Sequence, residues 1–156
     1  MIWNGRACVP YVSVQSGYEQ ACLLLDRDPG LRRGAATPAW EIFSAFTGVE
    51  FVDVTDDLAA ALAGNPADAD AAMLATFRRL ARNGITHVVM DYLLWLKLTE
   101  RDTPNLRDFV KNHPPTHIIP NPVASLRQVR AECQLPDWLA SEPLAQKILI
   151  YRRNDE

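Results

Sequence analysis

The segment from Asn65 to Met90 constrains the fold more than any other, because it spells out a capped helix, a stop and an apolar strand without interruption. Asn65 and Pro66 form an N-cap and first-turn pair: the asparagine side chain can accept from a free helix N–H, and proline has no N–H to leave unpaired. Asp68 and Asp70 sit at the positive end of the helix dipole, and Arg78, Arg79 and Arg82 at the negative end. Met73, Phe77, Leu80 and Ala81 share one face at helical spacing. Gly84 supplies the stop, and Ile85 to Met90 (ITHVVM) is an apolar run of strand length. The segment reads as one α/β unit.

The flanking sequence repeats the alternation. Ala7 to Val14 (ACVPYVSV) reads as a strand that Pro10 pushes towards an edge. Ser16 to Glu19 fits a capping box for a helix whose Tyr18, Ala21, Cys22 and Leu25 form one face. Leu31 to Ala36 reads as an arginine-bearing loop. Thr37-Pro38 opens a helix that turns Trp40, Phe43 and Phe46 to the core, and Val49 to Val54 is a strand. Thr55 caps a short alanine-rich helix around Leu58 and Leu62. Tyr92 to Leu98 (YLLWLKL) fits either a continuing strand or an apolar flap. Thr103-Pro104 starts a further helix with Leu106, Phe109 and Val110, and Thr116 to Pro120 is a short strand. Asn121-Pro122 starts another helix, and Lys147 to Arg153 closes the chain as a strand expected to run antiparallel at an edge. The order predicts a Rossmann-like three-layer α/β sandwich with a mainly parallel sheet of about five strands, forming a single domain over residues 1–156.

Such a length buries about two thirds of the surface exposed by the unfolded chain, so neither metal nor disulfide is needed for stability. The net charge is −3, and the thirteen arginines among sixteen basic residues form no long run, which disfavours nucleic acid as a partner. Cys8, Cys22 and Cys133 are odd in number and widely spaced, as buried thiols are. No apolar run approaches the roughly 20 residues of a membrane helix, and Met1 to Pro10 has no signal-peptide core. The chain as given is expected to be cytoplasmic, without a membrane span.

Open parallel sheets bind ligands beyond the carboxyl ends of their strands, which directs attention to Gln15, Ser16, Asp53 and Asp91. Asp53 and Asp91 on neighbouring strands could hold magnesium or a ribose, and each could equally cap the turn that follows it. The backbone after Ser16 could present N–H groups to a phosphate, although Ser16 also serves as a cap. Neither G-x-G-x-x-G, nor G-x-x-x-x-G-K-[ST], nor G-x-S-x-G occurs. His87 and His117 open apolar strands at the end of the sheet where sites are rarer, and Pro114-Pro115 prevents His113 and His117 from sharing a helix face, so no metal site is expected. Asp91, Tyr92 and Trp95 pair an acid with ring faces, as carbohydrate sites do, and as an apolar core segment also does.

The run Leu80-Ala81-Arg82-Asn83-Gly84-Ile85-Thr86-His87-Val88-Val89 resembles the helix and G-[IV]-T-H-[VL] strand of a known type of tail domain. That domain is the soluble C-terminal one following the membrane bundle in polytopic glycosyltransferases of the protein mannosyltransferase type. Ile148 to Arg152 is similar to its closing strand, and Leu106 to Val110 and Thr116 to Ile119 fall where such tails place a helix and a strand. The resemblance covers residues 74–153. It implies an accessory role with no catalytic residue in this chain, an extracytoplasmic location if the chain is a piece of such an enzyme, and a protein partner or carbohydrate-related ligand. The chain departs from those enzymes in beginning at its own methionine with no membrane helix before it. Two functions follow as expectations. One is a non-catalytic binding or assembly module without a cofactor. The other is a small nucleotide- or sugar-phosphate enzyme using Ser16, Asp53, Asp91, Tyr92 and Trp95, with magnesium. Pairing of two copies through Tyr92 to Leu98 is a third reading.

Overall fold

The computed structural model describes residues 17–37, 40–91, 104–120 and 147–153. Its elements are α1 (Tyr18–Asp26), β1 (Gly34–Ala36), α2 (Trp40–Thr47), β2 (Phe51–Asp53), α3 (Thr55–Leu62), α4 (Pro66–Arg82), β3 (His87–Asp91), α5 (Pro104–Asn112), β4 (His117–Pro120) and β5 (Lys147–Arg152). The predicted strand Ala7 to Val14, the segment Tyr92 to Leu98 and the helix after Asn121 lie outside the described residues.

The capping logic of α4 holds atom by atom. Asn65 Oδ1 accepts from the Asp68 N–H at 3.1 Å, and Asn65 Nδ2 donates to Asp68 Oδ2 at 2.8 Å. At the other end the chain reverses through Gly84 at φ +87°, a left-handed conformation that side chains disfavour. Asn65→Ala is expected to cost about 1 kcal/mol, read as a lower urea midpoint with an unchanged slope.

The described sheet has strand order β2-β1-β3-β5-β4. β1 pairs in parallel with both β2 and β3, while β5 runs antiparallel between β3 and β4. The sheet is therefore mixed, with β5 alone reversed among the described strands. The closing strand is antiparallel as expected, but it fills an interior slot and not an edge. Among the described strands that edge falls to β4, which also suits Pro120, a residue with no N–H to give to a further strand.

The segment read as a loop, Leu31 to Ala36, contains β1. Gly34-Ala35-Ala36 has no strand propensity of its own. Pairing on both sides fixes it: Gly34 aligns with Phe51 and His87, and Ala36 with Asp53 and Val89. All three residues are buried, and their smallness makes room for the rings of neighbouring elements.

Side-chain alternation divides the core. Ala35, Val88, Met90 and Leu149 join Leu58, Leu62, Met73, Leu80 and Phe109 of the helices after β2 and β3. Ala36, Phe51, Val89, Ile148 and Ile150 instead join Leu25 of α1 and Phe43 of α2. Adjacent strand residues thus belong to different clusters, as period-two geometry requires of a sheet covered on both faces. Phe43 is buried as read from the helical spacing, but Phe46 is 49% exposed. With α2 only eight residues long, its buried contact narrows to Phe43, with Trp40 packed beside it.

Candidate functional site

Beyond the carboxyl ends of β1 and β3 lies a buried polar group. Asp91 ends β3 at 4% exposure, and the Tyr18 hydroxyl on the first turn of α1 donates to its Oδ2. The Asp91 N–H donates to Thr37 Oγ1 at 3.2 Å, and the Thr37 N–H to Val89 O at 3.0 Å. Burial, reinforced by the Asp91 charge, pushes the Tyr18 phenol far above its usual range. It stays protonated and serves as a donor. Tyr18→Phe removes that donor from a buried carboxylate and is expected to lower stability by about 1–3 kcal/mol, measurable by urea denaturation at pH 7.

Asp53 is separate from this group. β1 lies between the strands that carry the two aspartates, so they are not neighbours. The register sets Asp53 level with Ala36 and Val89, and Asp91 two residues further along. Two strand spacings sideways and two residues along amount to roughly 10 Å and roughly 7 Å, well beyond the span of one magnesium ion's ligands. Asp53 Oδ1 instead accepts from the N–H and hydroxyl of Thr55, at 2.9 and 2.7 Å. Asp53 thus closes the turn that enters α3, one of the readings the sequence offered, while Thr55, expected as the cap, is the first helical residue and no side chain caps Val54 before it. Ser16, Tyr92 and Trp95 lie outside the described residues.

At the opposite end of the parallel strands is a second polar group. His87 opens β3 at 1% exposure. Its Nε2 lies 2.7 Å from Asp28 Oδ2 and its Nδ1 2.8 Å from Thr86 Oγ1. Asp28 follows α1, takes the Gly30 N–H on Oδ1 at 2.8 Å, and pairs through Oδ2 with Arg152 Nε at 2.9 Å. Burial lowers the His87 pKa, and the hydrogen bond that its ring donates to Asp28 only partly offsets it. The Asp28 carboxyl also ends below its ordinary value: burial would raise it, but the bonds from His87 and Gly30 and the Arg152 charge outweigh that. An ionised Asp28 only accepts, so Nε2 of the neutral ring carries the proton, and Nδ1 shares the single Thr86 hydroxyl proton with Arg33 O, 3.1 Å from Thr86 Oγ1. The contact is a hydrogen bond from a neutral imidazole and not an ion pair. Thr86 Oγ1 also accepts the Arg32 N–H at 3.1 Å, so the whole chain of bonds ties the loop after α1 to β3 and β5.

A hydroxyl, an imidazole and a carboxylate in line have the outline of a catalytic triad. The order of burial argues otherwise. Thr86 is 6% exposed and its oxygen is already surrounded by His87, Arg32 and Arg33. Cys22 is no better placed as a nucleophile, since burial pushes its thiol up to about 11. His113 Nε2 lies 2.9 Å from Asp70 Oδ2, and His117 is exposed on β4. Among the described residues no three histidine, cysteine or acidic side chains gather as metal ligands.

No protein-family model, curated protein or solved structure matches this chain. Among the described residues no helix is long and apolar enough to cross a membrane.

Proposed function

We propose that the chain is a non-catalytic α/β module that contributes binding or assembly to a larger system, in the manner of the tail domains of membrane glycosyltransferases. One observation carries this reading. The buried and half-buried groups with chemistry to offer, Asp28, His87 and Thr86 at one end and Tyr18 and Asp91 at the other, hold the loop after α1, the first turn of α1 and the strands together. Helices packed on both faces of the sheet fit the Rossmann-like three-layer form of the proposal. The partner is a protein or a carbohydrate-related ligand.

A second reading keeps the carboxyl-end rim as a nucleotide- or sugar-phosphate site. It is favoured by the position of Tyr18 and Asp91 where open sheets bind ligands. A thermal-shift screen against nucleotides, nucleotide sugars and sugar phosphates, with and without magnesium, separates the two. A ligand at a hundred times its Kd adds about 2.7 kcal/mol, or several degrees for this size. The module predicts no magnesium-dependent shift. A magnesium-dependent shift that Asp91→Asn abolishes supports the enzyme.

A further inference from the structure

A cleft of about 550 Å³ opens between the second half of α4, the end of α5 and the end of β5. Its volume lies within the range of small-molecule sites. Three rings form its apolar wall: Phe77 meets Tyr151 at 5.2 Å and Phe109 at 5.6 Å between centroids, both edge to face. The mouth carries Arg78, Arg152 and Arg153, and among the described residues no carboxylate lines the cleft.

These arginines differ in their commitments. Arg152 is bound to Asp28, and Arg153 Nη1 donates to Ala81 O at 3.3 Å near the end of α4. Arg78 stands exposed at the rim, and no hydrogen bond or ion pair joins it to another described residue. The partial negative charge at the two helix ends is also covered. Arg153 serves the α4 carbonyl, and the Tyr151 hydroxyl donates to His113 O at 2.6 Å just past α5. Among the described residues Arg78 brings an uncompensated positive charge to the mouth, beside the aromatic wall.

We infer that this cleft binds a small aromatic anion, a ring bearing a carboxylate or phosphate, with the ring against Phe77 and Tyr151 and the charge at Arg78. The site lies away from the carboxyl-end rim and goes beyond the module reading, which survives its failure.

The test is calorimetric titration of the whole chain with 1-naphthoate, the uncharged 1-naphthamide and the cationic 1-naphthylmethylamine, with ring resonances of Phe77 and Tyr151 followed by NMR. Saturable naphthoate binding that shifts those rings is expected, with the amide about tenfold weaker and the amine weaker still. Arg78→Glu, an exposed substitution that leaves the fold intact, should weaken naphthoate about tenfold or more and leave the amide unchanged. Absence of saturable naphthoate binding overturns the inference. So does equal binding of the amine, an unaltered affinity in Arg78→Glu, or ring shifts confined to residues outside the cleft.

Discussion

Gly34→Ala is expected to destabilise the protein by about 3 kcal/mol, at the upper end for overpacking a core, although a methyl group is a small addition. A Cβ at Gly34 would overlap the Phe51 ring at Cδ2, Cε2 and Cζ. Phe51 has nowhere to go. It is 1% exposed, its register opposite Gly34 is fixed, and it packs on Phe43 at 5.6 Å between centroids. Nor can β1 shift, because it is bonded on both sides. The clash predicts its own rescue. Phe51→Leu alone should cost about 1–3 kcal/mol from the space it leaves, while the double variant should fall short of the sum by at least about 1 kcal/mol. Strict additivity in urea denaturation would show that the ring and the glycine do not share that space.

His87→Ala is the second large effect, about 2–4 kcal/mol from the lost imidazole contacts and the loss of one of the donors to the Asp28 carboxylate. Its pH dependence distinguishes it from a simple cavity. The folded-state pKa of His87 lies below the ordinary 6.5, so the unfolded chain binds the proton first as pH falls. Wild-type stability is therefore full above about pH 6.5 and declines on acidification towards the lowered folded value. In His87→Ala that decline is absent, so its deficit should shrink between pH 7.5 and pH 5. Asp28 acts in a separate window. Its lowered carboxyl contributes above the ordinary 3.8 and is lost below that. A deficit constant from pH 7.5 to pH 5 would mean that the folded ring titrates like a free histidine.

The legibility of the chain followed the scale of the interaction. α4 and β3 were plain because cap, charge and periodicity are local, and all three agree between Asn65 and Met90. β1 was not, because Gly34-Ala35-Ala36 is a strand only by virtue of its two partners. The interior place of β5 was hidden for the same reason: the sequence shows that Lys147 to Arg152 alternates, not between which strands it inserts. At the polar groups the reading was uneven. Asp53 as a turn cap and His87 as a structural histidine both stood among the sequence readings. Nothing local shows what Asp28 pairs with. Its partners His87 and Arg152 lie 59 and 124 residues away, and only the fold brings them together. The Asp28-Pro29-Gly30 turn was a visible signal of a fixed loop, and an acid at its head was the available hint.

The central claim is that the polar groups of this chain belong to the fold and are not poised for chemistry, and His87 bears on it most directly. Nitrogen-15 NMR of the imidazole through a titration from pH 8 to pH 5 reads its tautomer and its proton together. The account predicts a neutral ring with its proton on Nε2, slow to exchange with solvent and still uncharged below pH 6.5. A ring that titrates at or above 6.5, or that carries its proton on Nδ1 and exchanges freely, would contradict it and return the Thr86–His87–Asp28 array to consideration as a catalytic one.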